Sequence, residues 1–245
     1  MEATRVTPLR VFDTPESLGS QLAGELLERI RRGRKPFLLG CPTGRTPRPI
    51  YDALAGADLS NVIFVMMDEY LVPGASGLRW ASEREAWSCH SFVQRHFQFQ
   101  VGDTWFPDPA DPAAYDRKIA DAGGIDLFLL ASGASDGHVA FNSTGSSRES
   151  RTRVVPLSEA TRRDNLQTFP SFGTLENVPR HGVTVGIDTI ARAHESIMVV
   201  WGASKRVTLQ RMLAADRYDP DWPATVIHES AVREIIADAS ANAAD

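Results

Sequence analysis

A chain of 245 residues, 42% hydrophobic and 23% charged, can bury a core without disulfides. Its net charge of -5 excludes bulk electrostatic attachment to nucleic acid or anionic membrane, so an anionic ligand requires a local basic pocket. Cys41 and Cys89 form no CxxC pair and offer no zinc site, and no apolar run approaches the ~20 residues of a membrane helix.

The first residues, MEATRVTPLRVFDTPE, hold no apolar core of signal-peptide length, and a cytoplasmic protein is expected. Thr14-Pro15-Glu16 opens a helix, and Leu18, Leu22, Leu26 and Ile30 carry it at helical spacing to about Arg32. Short apolar runs follow at 36–41 (PFLLGC), 62–67 (VIFVMM), 125–131 (IDLFLLA), 183–186 and 196–201 (SIMVVW). Helical stretches separate them at 47–55, 84–97, 113–122, 158–167 and 203–214. Continuous apolar strands alternating with helices predict an α/β fold, a mostly parallel sheet with helices on both faces. Residues 232–238 suit a last strand or a short helix, and the Ala-rich tail beyond is expected to fray. No Pro/Gly/Ser stretch is long enough to be a linker, so residues 1–245 read as a single domain.

Each central strand is followed by a chemically loaded segment. Pro42 to Pro47 (PTGRTP) is a strand-to-helix turn in which Gly44 permits close backbone approach. Thr43 and Thr46 add hydroxyls there, and Arg45 adds charge; a simple capped helix start, with Thr46 as cap, fits equally well. Asp68-Glu69 follows the next run, where a partly desolvated carboxylate can act as general base, although two solvated acids in a turn are the commoner case. Asp136-Gly137-His138 sets an acid two residues from an imidazole. Lys205 opens a helix, where a cation is unfavourable unless an anion lies nearby. In open α/β sheets ligands bind beyond the carboxyl ends of the strands, and four such loops at one edge predict a site there. A rival reading takes Gly133 to Gly137 as a G-x-S-x-G elbow, with Ser135 as nucleophile and Asp188 and His228 completing a triad.

The segments LGCPTGRTP, MMDEYLVP, SCHSFVQRHF, DGHVAFN, SSRESRTR, VPRHGVTVGIDTI and GASKRVTLQ resemble the glucosamine-6-phosphate deaminase family, within the wider group that includes 6-phosphogluconolactonases. They span about residues 36–213. The resemblance implies a modified Rossmann-like fold, an amino-sugar phosphate substrate, and cofactor-free isomerisation with loss of ammonia. It implies Asp68 as the base between C2 and C1, His138 as the ring-opening group and Asp136 as its acidic neighbour. It places Thr43, Gly44, Thr46 and Lys205 around the substrate phosphate, and Arg153 where some bacterial members bind an allosteric sugar phosphate. No metal is implied, and oligomeric state stays open.

Three positions depart from the family pattern. Ser143 stands where a glutamate pairs with the histidine, Gln167 where an arginine meets the phosphate, and Arg45 where the phosphate loop has a glycine. Arg45 is placed to replace the lost guanidinium from the other side of the pocket. These departures leave two alternatives: hydrolysis of a sugar-phosphate lactone, and sugar-phosphate binding without catalysis.

Overall fold

The computed structural model describes residues 7–243. β1 (Leu9–Phe12) leads into α1 (Pro15–Arg32), whose cap, Thr14, accepts a hydrogen bond from the Ser17 amide at 3.1 Å. α1 buries the face carrying Leu18, Leu22, Leu26 and Ile30, as its spacing requires. After β2 (Phe37–Cys41) comes the short helix α2 (Arg48–Ala53), which approaches α1 so closely that a Cβ on Gly19 would lie 2.4 Å from the Pro49 carbonyl oxygen. β3 (Asp58–Met66), β4 (Asp68–Gly74) and β5 (Gly77–Trp80) follow, then α3 (Cys89–His96), β6 (Gln100–Trp105), α4 (Pro112–Asp121) and β7 (Leu127–Ala131). The remaining elements are β8 (Arg153–Pro156), α5 (Glu159–Thr168), β9 (His181–Thr184), α6 (Ile187–Ala191), β10 (Glu195–Val200), α7 (Arg206–Ala214) and β11 (Val232–Asp238).

Seven strands form a parallel sheet in the order β1-β11-β10-β7-β2-β3-β6. Alternate residues of each strand enter different cores. Leu38, Val65, Phe128, Leu130 and Met198 pack on one face; Leu39, Phe64, Leu127, Leu129 and Ile197 pack on the other. Burial on both faces is why these strands read as unbroken apolar runs. The expected Rossmann-like α/β architecture is what the chain forms. From β2 the chain moves outward through β3 to β6, then returns to place β7 on the other side of β2. That reversal opens a crevice beyond the carboxyl ends of β2 and β7. The two strands approach so closely that a Cβ on Gly40 would fall 2.2 Å from the Phe128 ring.

Several local expectations are corrected. Asp68-Glu69 is not a turn but the start of β4, in a second, antiparallel sheet ordered β5-β4-β9-β8. The 183–186 run belongs to that sheet as β9, opposite Asp68 to Leu71. The helix expected from Arg84 starts only at Cys89, because the Ser88 hydroxyl caps it by accepting from the Ser91 amide at 3.0 Å. Residues 232–238 are a strand. The segment after Asp238 is tied down through Asn242: the Ala241 amide donates to the Asp238 carboxylate at 2.9 Å, the Asn242 amide donates to the Asp238 carbonyl at 3.1 Å, and Ala241 is buried.

Candidate active site

The loop after β2 turns at Gly44, whose φ of 90° lies in the left-handed region that favours glycine. Tyr51 holds the Pro42 carbonyl at 2.8 Å, and the Trp201 indole holds that of Thr46 at 2.9 Å. Thr46 does not cap α2, which begins at Arg48 without a side-chain cap, so the helix-start reading of this loop fails in that detail. Thr43, Gly44, Arg45 and Thr46 all line a cleft of about 190 Å³.

Asp68 enters the same cleft from the first residue of β4. Its residue is only 6% exposed, and burial raises its carboxyl to about 7, with the charge of Glu69 adding to the rise. The Cys89 thiol, 3.5 Å from Oδ1, opposes that rise by donating to the ionised form. Cys89 is held there by the wholly buried Glu69. That carboxylate accepts from the amides of Cys89 at 3.0 Å and His90 at 2.9 Å, and meets His90 Nδ1 at 2.5 Å.

The loop after β7 folds back on itself. Gly133 donates to the His138 carbonyl at 2.8 Å, and a Cβ on Gly133 would lie 2.2 Å from the imidazole. Asp136 Oδ1 lies 2.6 Å from His138 Nδ1 and accepts the His138 amide at 3.1 Å. Burial pushes the Asp136 carboxyl up, but bonding and charge from His138 outweigh it and hold it below its ordinary value. With Nδ1 engaged, Nε2 is the nitrogen left to a ligand in the cleft. Ala140, also in the lining, has φ 52°, a strained conformation for a residue other than glycine.

Lys205 reaches the cleft from a single helical turn after β10 and donates to the Ser132 carbonyl. Burial lowers its ammonium to about 8; Asp164 pulls upward and the neighbouring Arg45 downward. Gln167 and Arg45 both line the cleft, and both are exposed. The fold therefore gathers Thr43, Gly44, Arg45, Thr46, Asp68, His138, Gln167 and Lys205 around one cavity, with Asp136 directly behind His138.

One expected substrate-binding residue is not among those lining it. Ser143 is not in the lining, and its carbonyl closes a turn by accepting the Ser146 amide at 3.1 Å. Arg153, expected at an allosteric site rather than in the cleft, begins β8 and donates to Asn142 Oδ1 at 2.9 Å. The elbow reading also fails. Ser135 donates to Asp164 at 2.9 Å, Asp188 pairs with Arg148, Arg151 and Arg192, and His228 bonds Thr7 and the Met212 carbonyl.

Sequence reasoning missed Asp164. On α5, it accepts from the Ala134 and Ser135 amides at 3.0 and 3.3 Å and faces the cleft. Its signal was helical spacing: Asp164 lies three residues before Gln167 and four before Thr168, on one face. Asp136, His138 and Asp164 bring ligand atoms within 4.8 Å of one another. Asp136 is hydrogen-bonded to His138, and Asp164 accepts the backbone amides of the same loop, so the three form one connected group.

The fold and this cleft define a Rossmann-like α/β protein with an acid–base pair and a cation at its topological switch point. The family model described as glucosamine-6-phosphate isomerases/6-phosphogluconolactonase matches residues 13–236, and the chain belongs to that family. It is 35% identical to a glucosamine-6-phosphate deaminase of Shouchella clausii over 92% of each chain. It is 39% identical to that of an Arthrobacter species over 75% of this chain and 72% of the relative. Among solved structures it is similar to a monomeric glucosamine-6-phosphate deaminase, with TM-score 0.83, 27% identity, and 96% and 98% of the two chains covered. None of the described helices is long and apolar enough to cross a membrane.

Proposed function

We propose that the chain, acting as one catalytic domain, converts an amino-sugar 6-phosphate of the glucosamine 6-phosphate type into a ketose phosphate and ammonia. The observation that carries this reading is the meeting of a buried carboxyl near pH 7, Asp68, with the His138–Asp136 pair and Lys205 in one cleft. Thr43, Gly44, Thr46 and Lys205 hold the phosphate, with Arg45 supplying a guanidinium. His138, oriented by Asp136, moves a proton at the ring oxygen as the sugar opens. Asp68 takes the proton from C2 and returns it to C1, which leaves an imine at C2; water adds to that carbon and ammonia leaves, giving the ketone. No bound cofactor is needed for this sequence, because one carboxyl serves as base and then as acid.

Incubation with glucosamine 6-phosphate should release ammonia and fructose 6-phosphate in equal amounts. Asp68→Asn should bind the sugar phosphate and release both products about 10²–10⁴-fold more slowly.

A lactone substrate is the second reading. One observation favours it: His138 is hydrogen-bonded to one carboxylate, Asp136, and Ser143 supplies no second one, and such a pair suits activation of water. Acid release from 6-phosphogluconolactone, with no ammonia from the amino sugar, would replace the first reading.

A further inference from the structure

A second cavity of about 270 Å³ lies on the other side of the Gly44–Arg45 turn, between α2, α3 and the end of α5. Arg45, Arg48, Arg95 and His96 line it, over apolar contacts from Phe92 and Phe169. We propose that this cavity binds a small phosphate-bearing molecule, separate from the substrate and adjacent to it.

The first argument is uncompensated charge. Arg10, Arg29, Arg34, Arg148 and Arg192 each meet a carboxylate. Arg45, Arg48 and Arg95 have no ion pair among the described residues, and no carboxylate lines this cavity. Three unpaired guanidiniums converge in a chain whose net charge is -5. Arg95 is also held in place, donating from Nε to the Ser91 carbonyl at 3.1 Å and from Nη2 to that of Ala86. Burial lowers the His96 imidazole, and the charges of Arg48 and Arg95 lower it further, with Asp52 on α2 opposing them only in part. An oxyanion relieves that repulsion and matches the forked donors of arginine.

The second argument is shape. The Phe92 and His96 rings lie 4.5 Å apart, and with Phe169 they give the cavity an apolar wall beneath a cationic rim. That combination suits a phosphate ester with a short organic body better than a bare ion.

Gly44, Arg45, Thr168 and Phe169 line both cavities. An occupant of the second therefore competes for the Arg45 guanidinium and raises the KM for substrate while leaving kcat unchanged. The second site itself does not depend on which reaction the main cleft performs.

Calorimetry with inorganic phosphate and the full chain tests this. Wild type should show two binding events. Arg48→Ala with Arg95→Ala should lose one of them, weakening it about tenfold or more, with kcat unchanged. Lys205→Met should lose the other and keep the first. Ser171→Glu, at an exposed position of the lining, should lose the same event as the double arginine variant by placing a carboxylate there. A single event in wild type, or two undiminished events in both the double variant and Ser171→Glu, overturns the proposal. Because the readout is phosphate binding, it stands or falls independently of ammonia release.

Discussion

The two walls of the main cleft are built on opposite principles. The wall that carries Thr43, Arg45 and Lys205 comes from turns after β2 and β10; its guanidinium is open to solvent, and its half-buried lysine is the one member that burial perturbs. The wall that carries Asp68 is dry: Asp68, Glu69 and Cys89 are all buried, and a sheet strand and a helix N-terminus fix them. A group that only grips charge can stay wet, since a guanidinium keeps its proton regardless. A group that must exchange protons near neutrality has to be desolvated, because water would leave its carboxyl near 4.

Removing the dry wall's carboxyl is the largest blow to that contrast. Asp68→Asn should lower kcat about 10²–10⁴-fold with little change in KM, measured by ammonia release. The same change should stabilise the fold. Asp68 is raised from 3.8 to about 7, so the folded chain holds its proton more tightly than the unfolded one. Its contribution to stability is complete below pH 4 and is lost as pH rises through 7. At pH 8 the asparagine variant should therefore be more stable by roughly 1–4 kcal/mol in urea titrations, with no gain at pH 4. An equal gain at both pH values would separate the effect from ionisation.

The wet wall answers to a smaller change in a different constant. Lys205→Met should raise KM roughly 10–100-fold by removing a charged donor to phosphate, with kcat largely kept. Arg45→Ala should act in the same sense; undiminished affinity in that variant would remove Arg45 from the phosphate grip. A fall in kcat at constant KM in Lys205→Met would place this lysine in the chemistry and blur the contrast.

The strands that the sequence made legible are those buried on both faces. β2 and β7, with the later parts of β3 and β10, are continuous apolar runs, as strands covered on both faces are. β1 and β6 escaped because they are edge strands of mixed burial. β4 escaped because one residue, Met67, separates it from β3, and its pairing with β9 spans more than a hundred positions. The loops of the cleft were legible because they directly follow central strands. Glu69 and Cys89 were not: their roles exist only after β4 and α3 meet, and no local pattern encodes that encounter.

The two walls should also titrate separately. kcat/KM reports the free enzyme, so its acid limb should lie near pH 7, where Asp68 ionises, and its alkaline limb near pH 8, where Lys205 loses its charge. Lys205→Arg should push the alkaline limb outward and leave the acid limb in place, since arginine stays protonated. Both limbs moving together would mean that one coupled system, rather than two walls, sets the profile.

The finest expected effect probes the thiol behind the base. Cys89 donates to Asp68 at 3.5 Å and stabilises the carboxylate, so its loss should favour the protonated form. Cys89→Ala should move the acid limb to higher pH by a fraction of a unit, because the base then ionises later. The thiol cannot itself account for that limb, since burial and the charges of Glu69 and Asp68 hold its own ionisation well above the thiol range. A purely structural role for Cys89 would lower kcat at every pH and leave the limb where it was. Displacement of the limb at constant plateau therefore distinguishes a group that tunes the dry wall from one that merely fills it.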